Sequence, residues 1–410
     1  MQAFLVGGAV RDQLLGRPIL EKDWVVLGET PASMLNLGFL PVGKDFPVFL
    51  HPQTREEYAL ARTERKIANG YKGFTVYAAP DVTLEDDLIR RDLTINAMAM
   101  AADGTIIDPY RGQQDLEQRI LRHVSPAFTE DPVRILRIAR FAARYAYLNF
   151  HIAPETLQLM QEMVKSGEVD HLVPERVWAE LSKALLENTP SAFFYTLQQC
   201  GALAKIFPEI DALFGIPQPA KYHPEIDTGI HCMMALEQAA LLSPKAEVRF
   251  AALVHDLGKA LSPKDNLPHH HGHENVGMPL LDALCLRLRV PNGYKALAKQ
   301  VMQYHTHSHK ALELKASTLA DMLLHLGAFK NPQALQDFLL ACEADARGRL
   351  GLEHNTYQQA QYLQQVASAA SQIDTRAVLN GTLQGAEVGA AIRQLRIQAI
   401  STIIKQSKAL

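Results

Sequence analysis

The apolar pattern changes period once, near Leu84, and that switch sets what the chain can fold into. Before it, short β-rich runs alternate with turns: Phe4-Leu5-Val6, Trp24-Val25-Val26-Leu27, Val48-Phe49-Leu50, Tyr58-Ala59-Leu60-Ala61 and Phe74-Thr75-Val76-Tyr77. After it, apolar residues recur at helical spacing almost to the end, broken at Asp108-Pro109-Tyr110-Arg111-Gly112. The pattern predicts an α+β head with a small mixed sheet, followed by a long all-α region. A chain of 410 residues exceeds one ordinary core. Pro217-Gln218-Pro219 and Tyr222-His223-Pro224 mark a corner, beyond which histidines crowd: twelve of sixteen lie between His223 and His354. The expected divisions are a head over 1–140, a helical neck over 141–224, a histidine-rich domain over 225–326 and a helical tail over 327–410.

With 48% apolar and 21% charged residues, the composition is that of a globular chain and excludes disorder. No apolar run is long enough to span a membrane, and no basic segment precedes an apolar core at the N-terminus, so a cytoplasmic location is expected. Cys200, Cys232, Cys285 and Cys342 are scattered, which predicts buried free thiols rather than a disulfide framework or zinc knuckle. The net charge of −3 does not exclude nucleic acid, because a global sum hides local stripes.

The most informative local signal is Val6-Gly7-Gly8-Ala9-Val10-Arg11-Asp12 followed by Glu21-Lys22-Asp23-Trp24. Two glycines after a strand let the backbone bend tightly against an anion, and Arg11 adds a fixed positive charge. Glu21 and Asp23 are one residue apart, so on an extended strand both carboxylates leave the same face and can share hard cations. Either feature alone is common in structural roles. Together they point to metal-assisted phosphoryl or nucleotidyl transfer.

Residues 130–144, EDPVRILRIARFAAR, form the most legible helix. At about 100° per residue, Arg134, Arg137, Arg140 and Arg144 share one face while Ile135, Ile138, Ala139 and Ala142 share the other. The stripe is all arginine with no interleaved i,i+4 acid to neutralise it, which predicts a polyanionic partner such as a triphosphate or an RNA end rather than a solvated face. Asp131 and Arg134 can present an acceptor beside a donor. That order matches the pairing edges of cytosine and adenine and is reversed on uracil and guanine, so one pair of side chains could select C and A.

In the histidine-rich region, an apolar helix over Val248–Val254 ends in His255-Asp256, with Gly258 able to stop it and His231 one helix earlier. This resembles the HD phosphohydrolase signature, in which imidazole and carboxylate ligands hold a divalent ion that generates hydroxide. His273 and His305 strengthen the reading. The closing carboxylate is open between Asp321 and Asp345. His269, His270, His271, His307 and His309 read as a solvated loop or adventitious metal binders.

Taken with LVGGAVRDQLLGRP, EKDW, RRDLTINAMA, DPYRGQQDLEQRILRHV, HPEIDTGIH and LVHDLGK, these segments make the chain resemble the bacterial CCA-adding enzymes. These are class II tRNA nucleotidyltransferases of the DNA polymerase β superfamily, and more closely the chain resembles gammaproteobacterial members with a C-terminal HD domain. The resemblance implies a nucleotidyltransferase head and an HD phosphohydrolase domain, with the tRNA 3′ end, CTP and ATP as partners. It implies Gly8, Arg11, Arg91, Arg137 and Arg140 as nucleotide contacts, and Glu21 and Asp23 as Mg²⁺ ligands, although many members have Asp-x-Asp where this chain has Glu21-Lys22-Asp23. It implies His231, His255 and Asp256 as the HD metal site, often favouring Ni²⁺, with phosphatase, 2′-nucleotidase and 2′,3′-cyclic phosphodiesterase activities. For a third carboxylate in the head, Glu57 and Glu64 are candidates, each equally able to serve as an ordinary salt-bridge partner. The oligomeric state stays open between a monomer and a dimer or larger assembly. The rival readings are a poly(A) polymerase of the same superfamily, an HD phosphohydrolase whose head merely binds RNA, and a nucleotide sensor without catalysis.

Overall fold

The computed structural model describes residues 1–42, 47–66 and 74–409. The chain divides into two compact units, Met1–Ala184 with Ala192–Ile206, and Leu185–Ser191 with Phe207–Leu410.

The first unit is built on strands β1 (Gln2–Val6), β2 (Asp23–Leu27), β3 (Leu40–Val42), β4 (Val48–Leu50), β5 (Glu57–Leu60), β6 (Thr63–Lys66), β7 (Phe74–Tyr77), β8 (Ala99–Met100) and β9 (Ile106–Ile107). Seven of them form one mixed sheet in the order β3-β4-β5-β2-β1-β8-β9, while β6 and β7 pair separately. The β1–β2 pair is antiparallel with Val6 opposite Asp23, and the β2–β5 pair is parallel with Asp23 opposite Glu57. Period-two alternation divides β1 between two cores. Phe4 and Val6 pack with Val25, Leu84 and Leu88, whereas Leu5 packs with Ala9, Val10 and Met98. Asp23 therefore lies on the face that the Leu84–Ile89 helix covers.

The Val133–Tyr145 helix is almost entirely buried, including Ile135, Leu136, Ile138 and Ala139. The arginine face is not left to solvent, which departs from the amphipathic expectation.

The second unit is all α. Its centre is a bundle in which the Thr228–Leu242 helix packs on the Pro332–Arg347 and Ala246–Val254 helices, and the last of these packs on Asn292–His309. Gly258, just after His255-Asp256, touches the start of the His273–Arg287 helix: a Cβ there would lie 1.9 Å from the His273 carbonyl oxygen. Only glycine permits that approach, and the approach carries His273 to Asp256. The Ala386–Ala409 helix closes the unit against the Ala316–His325 and Gln358–Ser371 helices. All four cysteines are buried and free. Among the described residues, no helix is long and apolar enough to cross a membrane.

Candidate active sites

In the first unit, the glycine turn and the carboxylate strand are neighbours. Gly7 has φ +69°, and a Cβ there would lie 2.9 Å from Arg91 Nη1, so the glycine both makes the bend and admits the guanidinium. Asp23 opens β2, and Glu21 lies two residues before the strand rather than in it. Their carboxylates still sense each other. The protein around Asp23 pushes its pKa above the usual carboxylate value, Arg91 opposes the shift and Glu21 adds to it. Glu57 stands beside Asp23 on β5, one strand spacing away and on the same face. The Glu64 side chain lies outside the described residues.

A buried polar chain links the turn to the arginine helix. Arg11, only 3% exposed, donates from Nη1 to Asn96 Oδ1 at 2.5 Å and from Nε and Nη2 to the Asp12 carboxylate at 3.0 Å. Asn96 donates to Asp92 at 3.0 Å, and Arg137 Nε donates to the other Asp92 oxygen at 2.7 Å. Burial opposes ionisation of Asp92, but Arg137, Asn96 and the Leu93 N–H outweigh it and hold the carboxyl well below the usual range. Beside this chain, buried Asp87 accepts from Arg90 at 2.6 Å and Arg91 at 3.1 Å.

The arginine stripe needs a correction. Its charge is met inside the protein, by acids on other elements rather than by i,i+4 partners. Arg137 pairs with Asp92, Arg140 Nε donates to Glu180 at 2.6 Å, and Arg134 spends Nη1 and Nη2 on the carbonyls of Ala127 (2.7 Å) and Arg90 (2.6 Å). Arg134 is buried, whereas the Arg137 side chain is 38% exposed and within reach of a ligand. Asp131 does not face Arg134. It takes a bidentate pair from Arg176, at 3.0 and 2.7 Å, and also accepts from the Val133 N–H. In this arrangement Asp131 and Arg134 present no joint acceptor–donor edge.

In the second unit, His231, His255, Asp256, His273, His305 and Asp345 converge in the bundle, all buried. His231 Nε2 lies 3.1 Å from Asp345 Oδ1 and 3.8 Å from Asp256, and His255 Nε2 lies 3.1 Å from Asp256 and 3.6 Å from Asp345. His273 and His305 approach the other Asp256 oxygen at 3.2 and 3.6 Å. Each imidazole has Nδ1 against a main-chain carbonyl: Gly348 for His231, Ala252 for His255, His270 for His273 and Val301 for His305. A nitrogen facing a carbonyl carries the proton, so in the neutral imidazole Nε2 is the lone-pair end and points inward. His255 Nε2 and Asp256 Oδ1 are buried without a well-aligned hydrogen bond, the arrangement a divalent cation would satisfy, while Asp256 Oδ2 is ion-paired with Lys259. Two ligand groups share Asp256: His231 with His255, and His273 with His305. The negative charge is strong enough that, although burial disfavours protonation of His231, Asp345 and Glu225 lift its pKa to about 9.

Of the two candidates for the closing carboxylate, Asp345 is the one beside these histidines. Asp321 stands elsewhere, paired with Arg393 at 2.6 and 2.7 Å. His309 also departs from the solvated-loop expectation: it ends the Asn292–His309 helix with Nε2 2.7 Å from Asp345 Oδ2 and Nδ1 3.1 Å from the Tyr357 hydroxyl. His307 belongs to the same helix, and His270 is tied to Ser262 and the Pro217 carbonyl.

Three family models match along the chain. Residues 3–122 match the poly A polymerase head domain family, 149–214 the probable RNA and SrmB-binding site of polymerase A, and 228–330 the HD domain. A multifunctional CCA protein from Methylococcus capsulatus is 61% identical over 98% of this chain and 94% of its own. The chain belongs to the multifunctional CCA protein family. It is an enzyme of the nucleotidyltransferase class with a metal-dependent phosphohydrolase domain. The fold is shared with a Thermotoga maritima CCA-adding enzyme solved with tRNA (TM-score 0.63, 18% identity, 100% of this chain and 91% of that one). It is also shared with a CCA-adding enzyme solved with CTP (TM-score 0.65, 22% identity, the same coverages). The α+β head and all-α remainder expected of this family are the architecture observed.

Two site features escaped sequence reading: the Asp92–Asn96 link to Arg11, and His309 on Asp345. Neither left a local signal, since each joins residues distant in the chain.

Proposed function

We propose that the chain adds and repairs the 3′-terminal CCA of tRNA without a nucleic-acid template, using CTP and ATP and releasing pyrophosphate, in the cytoplasm. The observation that carries this reading is Asp23 at the head of β2, beside Glu57 on one side and the Gly7–Arg91 contact on the other. Glu21 and Asp23 would hold Mg²⁺, which when bound supplies Lewis-acid activation of the tRNA 3′-hydroxyl and charge neutralisation at the pyrophosphate. The Gly7-Gly8 turn, Arg11 and Arg91 position the triphosphate, and Arg137 and Arg140 complete its contacts. Asp131 and Arg134 read the base by exchanging protein partners, Asp131 giving up Arg176 for the amino group of C or A and Arg134 giving up the carbonyls of Ala127 and Arg90 for the ring acceptor. The tRNA is gripped by shape and phosphate contacts along the helical neck.

The histidine site is the second activity, a phosphatase, 2′-nucleotidase and 2′,3′-cyclic phosphodiesterase. His231, His255, Asp256 and Asp345 would hold Ni²⁺ or a similar divalent ion, with Asp256, His273 and His305 able to hold another, and such ions supply hydroxide at neutral pH. The carbonyl contacts at each Nδ1 keep the imidazoles aimed, and Lys259 balances Asp256.

Labelled CTP and ATP with a tRNA ending at its discriminator base test the transferase. A stop after three added nucleotides supports it, and an adenosine ladder favours a poly(A) polymerase. Unchanged C/A preference in Asp131→Ala rejects the base-reading role. Full cyclic phosphodiesterase activity in His255→Ala rejects the second assignment.

A further inference from the structure

We propose that Arg349 binds the phosphoryl group of the substrate at the histidine site, so that the site takes a phosphomonoester or cyclic phosphate and not a neutral ester. The inference rests on the phosphohydrolase reading above. Asp256, Asp345 and Glu225 put three carboxylates around the cluster, which would repel an anionic substrate unless a cation with spare donors stands beside them.

Among the described residues Lys259 and Arg349 reach the cluster, and they differ in how far they are used up. Lys259 Nζ lies 2.5 Å from Asp256 Oδ2 and donates to Gln218 Oε1 at 2.5 Å, so its ammonium is committed to the protein. Arg349 Nη2 stands 3.6 Å from Asp345 Oδ1, close enough to be held electrostatically but beyond hydrogen-bond length, and its Nε is buried with no partner. Its side chain is 20% exposed, so a ligand can reach it.

The backbone on both sides of Arg349 is fixed to residues of the cluster. The carbonyl of Gly348 accepts from His231 Nδ1 at 2.9 Å, and the N–H of Leu350 points to Glu225 Oε2 at 3.4 Å. The guanidinium is thus a charged fork with free donors, placed by the same segment that supplies Asp345. Such a fork matches two oxygens of a phosphoryl group through parallel N–H···O bonds, which an ammonium cannot do.

The test uses full-length protein loaded with Ni²⁺, comparing wild type, Arg349→Gln and Arg349→Lys. Turnover is measured with p-nitrophenyl phosphate and adenosine 2′,3′-cyclic phosphate, binding of inorganic phosphate by calorimetry, and bound metal by elemental analysis. The expected result for Arg349→Gln is KM and phosphate Kd raised about tenfold or more, kcat within about threefold and metal content unchanged, with Arg349→Lys recovering part of the loss. Unchanged KM and phosphate Kd would overturn the proposal. Loss of bound metal together with kcat would also overturn it, since Arg349 would then act only through Asp345. Failure of the wild-type chain to hydrolyse either substrate would defeat the phosphohydrolase reading itself, an outcome distinct from an unchanged variant.

Discussion

Replacing Asp92 by Asn tests the buried chain that joins the glycine turn to the arginine helix. The wild-type carboxylate accepts from Arg137 Nε at 2.7 Å, Asn96 Nδ2 at 3.0 Å and the Leu93 N–H at 2.8 Å. Asn can keep only part of this set, and its amide donors would face those of Arg137 or Asn96. Breaking one side of a buried ion pair costs about 3–5 kcal/mol, but Arg137 is partly open to water, which lowers the expected loss to about 2–3 kcal/mol. In a unit of this size that is a fall of roughly 5–10 °C in melting temperature. Calorimetry of the whole chain reads it, the relevant transition being the one that CTP moves upward. The Asp92 carboxyl is depressed in the folded state, so its contribution is fully present above the unfolded pKa of about 3.9 and is lost as pH falls through the lower folded value. The wild-type advantage should therefore hold level from pH 8 to about 5 and shrink below about 4. A loss under about 0.5 kcal/mol, or an advantage that grows on acidification, would refute the reasoning.

Gly7→Ala should lose about 1–2 kcal/mol of head stability and raise KM for CTP, because alanine is strained at φ +69° and its Cβ meets Arg91; unchanged kinetics would show that the turn does not place the guanidinium. Asp345→Asn should abolish hydrolysis at the histidine site and lower its bound metal, while Asp321→Asn, which loses only an exposed pair with Arg393, should leave both unchanged; the reverse pattern would reassign the closing ligand.

Much of this was legible because it is local. The glycine turn, the carboxylates one residue apart, the apolar helix ending in His255-Asp256 and the period change near Leu84 are all written in neighbouring residues. What was illegible depends on contacts between distant segments. The arginine stripe looked unpaired because its acids, Asp92 and Glu180, come from other elements. Asp321 and Asp345 could not be separated until the helices were packed, since both sit within apolar helical runs and only one turns toward His231. His309 read as a loop residue beside other histidines, yet helical phase carries it to Asp345 while His307, two residues away, points elsewhere.

The most direct measurement is the Asp23→Asn variant assayed at both sites with one preparation. The account predicts no detectable addition of C or A to a truncated tRNA, tRNA affinity within about twofold of wild type, and undiminished Ni²⁺-dependent hydrolysis of a cyclic phosphate. Nucleotide addition at the wild-type rate would contradict it.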